Sequence, residues 1–326
     1  MKLPEYKSLE EKTPFFYHIK IDTKDVLDSH LEKLLEFSPN CIFRGVNEAK
    51  YKLYTSVQRS WICNGLGRHS TINLMVDSMI TSLRNNITLT DYYKSLNIIP
   101  TDLLYLGLLQ HYSAPTPLLD FTHDYKTALY FATKGLSAGC SDSEIDDFFS
   151  IYYIDTDKYG DQLVKMDEFL NDGLDAGAAM YEDIISKYPG RHADKPLLDS
   201  MEIYTRWMKR HSFADDGLCA IKMMFIDNPL KFKGIATPYT HESLYWSNLN
   251  IIAQKGCFIL YNNDRMPMEE YVSQSVCLPK IWCIDIHKSL AEYVQEHYLQ
   301  GLSEALLFPD INQLAKDAYK DFLKNL

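Results

Sequence analysis

The stretch "LQHYSAPTPLLDFTHDYKTALYFA" (residues 109–132) contains three local patterns that together decide how this part of the chain folds. Two prolines stiffen a short connection, because the pyrrolidine ring fixes φ. The run "LLDF" that follows predicts a short buried strand with an acid near its end. Thr122 and Asp124 are residue types favoured at a helix N-terminus, and the small and aromatic residues after them predict a helix with one inward face. The stretch therefore predicts a turn, a strand and a helix with polar side chains at their junctions.

The polar residues of this stretch have both a structural and a functional interpretation. The helical spacing of "TDLLYLGLLQHY" (101–112) places His111 on an apolar stripe, with Gln110 beside it. Singly, His111 is typical of a core histidine, Asp120 of a backbone acceptor and Thr122 of a helix cap. Together, a buried strand that carries an acid and leads into a helix N-terminus favours anions. The combination predicts a preorganised polar site.

Two further segments contribute candidate residues. In "IFRG", Arg44 lies between apolar neighbours, where an unpaired charge is costly. Arg44 therefore either pairs with Asp120 or holds a phosphate or ribose of a ligand. Gly45 permits a turn or a close approach of the backbone. Arg59 is either a second anion contact or a surface residue, and Gln254, between a predicted helix and a predicted strand, either caps the helix or projects into a cleft.

The patterns along the chain predict an α+β fold, with small mixed or antiparallel sheets around a central cleft and helices flanking it at both ends. They predict an N-terminal helical segment (1–39), a central domain (40–262) and a C-terminal strand with helices packed on it (263–326). The predicted helices cover 24–37, 70–86, 101–112 and the region from about 287 onward, and the predicted strands cover 41–45, 148–155, 257–262 and 280–286.

Composition excludes several classes of function. The formal net charge of -11 and the lack of a basic stripe argue against an extended nucleic-acid surface. No apolar run approaches the roughly 18 residues that a membrane span requires, and the first residues, "MKLPEYKSLEEK", lack the apolar core of a signal peptide. We expect a cytoplasmic protein that does not contact a membrane. No spacing requires a metal, because His111 and His123 have no convincing third ligand.

The sequence resembles the FRG domain family over roughly residues 40–260. The resemblance rests on "FRG" (43–45), on the long block "LQHYSAPTPLLDFT…ALYFA", and on two sparser patterns. These patterns are Tyr51, Leu53 and Arg59, and then Gln254, Gly256 and Phe258. The central domain is therefore interpreted as an FRG-type domain. Pro117 departs from the family, in which many members carry Arg after "PT". The resemblance implies a shared set of polar residues rather than a particular reaction.

A looser resemblance connects the chain with the ADP-ribosyltransferase fold. Arg44, then Thr122 before an "A-x-x-F" helix, then Gln254 follow the order found in those enzymes. This resemblance implies that NAD is the cofactor. An enzyme of this kind would need a carboxylate to stabilise the positive charge that develops on the ribose. Asp120 or Glu242 would supply this carboxylate, because Gln254 is not an acid. We predict two groups of site residues: catalytic His111, Asp120, Thr122 and Gln254, and cofactor-binding Arg44, Gly45, Arg59 and Gln110.

Three hypotheses follow for the activity. The first is an NAD-using ADP-ribosyltransferase or NAD glycohydrolase, of the kind found among toxins and defence effectors. The second is a non-catalytic module that binds a nucleotide or another phosphorylated small molecule. The third is a hydrolase with His111 and Asp120 as a general acid/base pair. The third is disfavoured because the sequence has neither a nucleophile elbow nor an H-E-x-x-H motif beside them.

Overall fold

The protein is described by a computed structural model over residues 2–37, 40–68, 70–95, 102–136, 143–159, 164–165, 222–226 and 249–324. Within these ranges the strands are β1 (Phe16–Ile21), β2 (Cys41–Val46), β3 (Leu118–Thr122), β4 (Phe148–Asp155), β5 (Val164–Lys165), β6 (Met223–Ile226), β7 (Gly256–Tyr261) and β8 (Ile281–His287). The helices are α1 (Leu9–Lys12), α2 (Lys24–Phe37), α3 (Ser56–Cys63), α4 (Ile72–Arg84), α5 (Ile87–Ser95), α6 (Asp102–His111), α7 (Tyr125–Thr133), α8 (Thr156–Tyr159), α9 (Leu249–Ala253), α10 (Met268–Gln274), α11 (Ala291–Tyr298), α12 (Glu304–Leu307) and α13 (Ile311–Lys324).

All the strands in the described ranges belong to one mixed sheet. Their order is β1-β8-β4-β2-β3-β7-β6-β5. The pairs β1–β8 and β5–β6 are parallel, and the other neighbours are antiparallel. The predicted α+β class is confirmed, and the strands expected in small sheets lie together in a single one. Strand β1 was not predicted, and it joins the N-terminal segment to β8 near the other end of the chain.

The sheet divides into two halves at its centre. Strands β2 and β4 pair along six residues, and β3 and β7 along five. By contrast, β2 and β3 share a single partner pair, Phe43 with Thr122. Because a ladder of hydrogen bonds holds paired strands close together, strands that share one pair are free to diverge beyond it. The divergence opens a gap between the ends of β2 and β3.

Apolar side chains cover the sheet in three clusters. On one face, α2, α7 and α11 pack over the half that contains β2, β4 and β8. On the same face, α3, α4 and α6 pack over the half that contains β3, β6 and β7. The opposite face is covered by a third cluster that includes residues of the N-terminal segment and of α10. The boundary between the first two clusters coincides with the gap between β2 and β3.

A glycine sets the distance between β2 and α7. A Cβ atom at Gly45 would lie 1.8 Å from the main-chain oxygen of Ala128 in α7. Any other residue at position 45 would therefore push the helix away from the strand. Gly45 thus permits α7 to pack closely against β2. Helix α7 forms one wall of the gap.

The predicted division of the chain at residues 39/40 and 262/263 stays a prediction. Strands from all three predicted segments lie side by side in the same sheet: β1 from the first, β2 to β7 from the second and β8 from the third. Among the residues that the structure describes, no helix combines the length and the apolar character needed to cross a bilayer.

Candidate functional site

A cavity of about 560 Å³ occupies the gap between β2 and β3. We call it the cleft. Seven of the eight predicted site residues line it, and they come from β2, α6, β3 and the α9–β7 connection: Arg44, Gly45, Gln110, His111, Asp120, Thr122 and Gln254. The eighth, Arg59, lines a neighbouring cavity. The fold thus brings together residues that are up to about 200 positions apart in sequence, while their roles in binding or catalysis stay predictions.

Asp120 is the carboxylate of the cleft, and its position is held by two neighbours. Its side chain is 60% exposed. The Gln110 amide Nε2 lies 2.9 Å from each carboxylate oxygen. Arg44 donates from Nη1 to the main-chain oxygen of Asp120 at 2.7 Å, and the same nitrogen lies 3.8 Å from Oδ2. The ion pair that was one interpretation of Arg44 is therefore present, yet the carboxylate still faces solvent.

The amide of Gln110 has a fixed orientation. The hydroxyl of Thr116 donates to the Gln110 oxygen Oε1, so the amide nitrogen is directed to Asp120. Thr116 is fully buried, and its main-chain N–H donates to the Ser56 hydroxyl at 2.9 Å. Thr116 was not predicted as a site residue, although its place between the two prolines of "APTP" is the signal for a rigid position.

His111 is the last residue of α6 and lies beside Tyr112, with the ring centroids 4.6 Å apart. Partial burial lowers the pKa of His111 below its ordinary value, because desolvation disfavours the charged imidazolium. The imidazole is therefore neutral near pH 7. A neutral imidazole at the edge of the cleft can accept a proton, which is the property required of a general base.

The side chains of Thr122 and Gln254 are hydrogen-bonded to main-chain oxygens. Thr122 donates from its hydroxyl to the main-chain oxygen of Gln254 at 2.6 Å. Gln254 donates from Nε2 to the main-chain oxygen of Leu307 at 3.0 Å. The prediction that Thr122 caps the following helix is wrong, since the N-cap of α7 is Asp124 and Thr122 ends β3. Its hydroxyl instead accepts from the Asp124 N–H at 3.0 Å.

The segment around α12 closes one side of the cleft. Phe308 packs edge-on against Phe131 of α7, with the ring centroids 5.9 Å apart. Lys134 lines the cleft and pairs with Glu304 at 2.5 Å. Reasoning from the sequence missed Phe308 and Lys134 as lining residues. Because Phe308 is more than 170 positions from Phe131, no local pattern indicates the contact.

Arg44 borders a second cavity of about 350 Å³, which also contains Lys52 and Arg59. The Nε atom of Arg44 is buried and has no hydrogen-bond partner in the described part of the protein. Arg59 donates from Nη1 to the main-chain oxygen of Tyr54 at 3.0 Å. Partial desolvation and the nearby charge of Arg44 lower the pKa of Arg59. Arg44 thus stands at the junction of two cavities.

Residues 39–139 match the family model of the FRG domain. The chain contains an FRG domain. The matched range is 101 of the 326 residues and contains β2, β3, α7 and every predicted site residue except Gln254. A comparison with curated proteins and a comparison with solved structures gave no match. The match supports the resemblance to the FRG family over residues 39–139 of the roughly 40–260 expected, whereas the resemblance to the ADP-ribosyltransferase fold stays a prediction.

The range that matches the FRG family model does not contain the whole cleft. Gln254, Phe258 and Phe308 line it and lie beyond residue 139. Glu242, which the sequence offered as an alternative carboxylate, lies outside the described residues. Within the described residues, one group of three potential metal ligands was found (His18, Cys283 and Asp285), and none of its members lines the cleft.

Proposed function

We propose that the cleft binds a nucleotide, with NAD as the first ligand to test, and cleaves the N-glycosidic bond between nicotinamide and ribose. The observation that supports this proposal is the carboxylate of Asp120. It is exposed inside the cleft, it is held by Gln110, and it lies beside the guanidinium of Arg44. Asp120 is also the one carboxylate among the described lining residues.

The dimensions and the lining of the cleft suit a nucleotide. A volume of about 560 Å³ falls within the usual range of small-molecule sites. Phe131, Phe258 and Phe308 provide apolar surfaces for a ring. Arg44 offers a buried Nε donor without a partner in the described protein, and a guanidinium binds phosphate oxygens through two parallel hydrogen bonds.

The proposed reaction uses Asp120 for electrostatic stabilisation. The bond between C1′ of the ribose and N1 of nicotinamide breaks, and its electron pair leaves with the neutral nicotinamide. The ribose then carries positive charge, which a fixed carboxylate stabilises. An oxygen of water or of an acceptor group forms the new bond to C1′ and releases a proton, which His111 accepts in its neutral form.

Thr122 and Gln254 are proposed as positioning residues in this reaction. Their hydrogen bonds to main-chain oxygens tie β3 to the α9–β7 connection and that connection to the end of α12. We expect these two bonds to hold the wall of the cleft beside β7 in place. The proposal thus replaces the direct catalytic roles that the sequence suggested for both residues.

A second candidate function is a non-catalytic nucleotide-binding module. The observation that favours it is again the bonding of Thr122 and Gln254, because two polar groups of the cleft are already used by the protein itself. This function requires the same ligand contacts at Arg44 but no turnover.

One experiment separates the two functions. The full chain is incubated with NAD, in buffer and with cell lysate, and both the released nicotinamide and the labelled ADP-ribose on acceptors are measured. We expect the Asp120→Asn variant to lose on the order of 10²-fold or more in rate, since a fixed charge that stabilises a transition state has an effect of that size. The matched control is Asp91→Asn, which makes the same change at an exposed carboxylate whose ion pair among the described residues is with Lys94 at 3.6 Å.

Ligand binding is measured in parallel by thermal shift. Stabilisation by NAD that is lost in Arg44→Ala, without release of nicotinamide, would identify the binding module. If NAD neither stabilises the protein nor is consumed, the proposal of NAD as the ligand is wrong, and a panel of other nucleotides then tests the site itself.

A further inference from the structure

We infer that the second cavity is an anion site that takes a phosphate or diphosphate group between Arg44 and Arg59. We call it the arginine pocket. Its volume is about 350 Å³, and its charged lining residues are Arg44, Lys52 and Arg59. No acidic side chain is among the described residues that line it. The arginine pocket lies beside the cleft and shares Arg44 with it, and the inference does not rest on the reaction proposed for the cleft.

The charge of the arginine pocket is only partly balanced by the protein. Lys52 pairs with Glu270 at 2.7 Å. Arg44 has Asp120 at 3.8 Å, but Asp120 lines the cleft and not the pocket. Arg59 forms no ion pair with a described carboxylate, and its side chain donates to the main-chain oxygen of Tyr54. Asp120 also acts on the charge of Arg59, but it does so from the cleft. Two guanidinium groups therefore face one cavity whose described lining contains no carboxylate, an arrangement that an anion stabilises.

The hydrogen-bond donors of the pocket are also not used up. A guanidinium has five N–H donors, which match the oxygens of a phosphate in pairs. The buried Nε of Arg44 has no partner in the described protein. Arg59 uses Nη1 for its bond to Tyr54 and keeps its other donors. A phosphate group in the pocket would supply acceptors to both arginines at once.

The walls of the pocket are held rigidly. Arg59 lies on α3, whose N-terminus is fixed by reciprocal hydrogen bonds between Thr55 and Gln58. The Gln58 amide also donates to the main-chain oxygens of Asn263 and Met266 at 2.7 and 2.9 Å. A site with rigid walls loses little entropy when it binds, which is a requirement for recognition of a small anion.

The pocket adjoins the cleft through Arg44. Side chains alternate along a strand, so Arg44 leaves β2 on the face opposite that of Phe43 and Gly45, yet it borders both cavities. The phosphate group in the pocket could therefore come from either of two kinds of ligand. It is either the phosphate of a nucleotide whose base and ribose lie in the cleft, or a separate phosphorylated compound.

Calorimetric titration of the full chain with inorganic pyrophosphate tests the inference. We expect the wild-type protein to bind it and Arg59→Gln to bind it at least 10-fold more weakly. Glutamine keeps an N–H donor for the Tyr54 oxygen but removes the charge, so this variant should melt like the wild type. Arg265→Gln is the matched control, because it makes the same change at an arginine that is 91% exposed and does not line either cavity.

Titration of pyrophosphate in the presence of ADP identifies the source of the phosphate. Competition, together with weaker ADP binding in Arg59→Gln, assigns the pocket to the phosphates of the cleft ligand. Simultaneous binding of both assigns it to a separate compound. Absence of pyrophosphate binding by the wild type, or equal binding by Arg59→Gln, would overturn the inference. The result is independent of NAD turnover, since pyrophosphate binding that depends on Arg59 would stand even if nicotinamide were never released.

Discussion

Two places among the described residues bring together a cation, a carboxylate and a hydroxyl or amide group, with opposite consequences. In the first place, which we call the closed cluster, Lys12 lies 2.6 Å from the Asp285 oxygen Oδ1 and 2.8 Å from the Ser150 hydroxyl. Ser150 donates to the same carboxylate oxygen at 2.6 Å, and His18 Nε2 lies 2.7 Å from the other. The side chains of Lys12 and Asp285 are fully buried.

The second place is the group formed by Arg44, Asp120 and Gln110 in the cleft, which we call the open cluster. Its carboxylate is 60% exposed, and the closest charged atom of Arg44 is 3.8 Å away. The buried Nε of Arg44 lacks a partner in the described structure. In the closed cluster, by contrast, both oxygens of Asp285 are bonded.

The difference separates stability from function. Burial alone would raise the pKa of Asp285, but the charge of Lys12 and the hydrogen bond from His18 hold it below its ordinary value. The charged groups of the closed cluster are thus paired with one another inside the protein. His18, Cys283 and Asp285 could be mistaken for metal ligands, yet the ammonium of Lys12 already lies against Asp285. The open cluster keeps donors and a carboxylate available to a ligand.

The largest effect on stability is expected in the closed cluster. Lys12→Met leaves the carboxylate of Asp285 buried without its cation, and loss of one partner of a buried pair costs about 3–5 kcal/mol. Urea unfolding at pH 7 measures the change. Lys12→Met combined with Asp285→Leu removes both charges and should recover much of the loss. A loss below about 1 kcal/mol in the single variant would contradict the idea that the cluster is closed.

An intermediate effect is expected at Glu269, a buried carboxylate that has hydrogen bonds but no ion pair with a described cation. The hydroxyl of Tyr6 donates to it at 2.7 Å and the N–H of Leu53 at 3.1 Å. Burial raises the pKa of Glu269 from 4.5 to about 7. Between these two pH values, Glu269 is therefore protonated in the native state and ionised in the unfolded state. Stability should fall as the pH rises from about 4.5 to 7, by about 3 kcal/mol, and should level off above that.

Glu269→Gln provides the control for this pH dependence. The amide has the same shape and does not titrate, so the fall of the unfolding free energy between pH 4.5 and 7 should disappear. The contribution of Asp285 has the opposite sign. Because its pKa is lowered in the native state, the protein loses this contribution to stability as the pH falls below the ordinary pKa of an aspartate. A slope that persists unchanged in Glu269→Gln would assign the effect to another group.

The sequence predicts the local parts of this structure well because the signals are local. The prolines of "APTP" and the apolar run "LLDF" lead to β3 at the expected place. The cap of α7 is misplaced by two residues, since Thr122 and Asp124 are both suitable residue types. Seven of the eight predicted site residues line the cleft. One block of sequence holds four of them: Gln110, His111, Asp120 and Thr122.

The parts that could not be predicted depend on contacts between distant residues. Strand β1 pairs with β8, and neither partner indicates the other. Phe308 reaches the cleft only because α12 folds back against α7. The arginine pocket likewise requires β2 and α3 to be adjacent, so the sequence left Arg59 as either an anion contact or a surface residue. Periodicity and spacing are local patterns, and they do not predict contacts between residues that are so far apart in sequence.

The smallest effect on stability is expected at the centre of the open cluster. Asp120→Asn removes a charge that is mostly in solvent, and exposed ion pairs contribute only about 0–1 kcal/mol. Gln110 can still donate to the remaining carbonyl oxygen, and Arg44 keeps its bond to the main-chain oxygen of residue 120. We therefore expect a change within about 0.5 kcal/mol in the same urea experiment that detects Lys12→Met. A loss above about 2 kcal/mol would show that the cleft residues are held for stability, as in the closed cluster. A near-zero change in stability, together with lost ligand binding or turnover, would show that the two clusters differ in kind. The residues of the open cluster would then contribute to ligand binding and little to the stability of the fold.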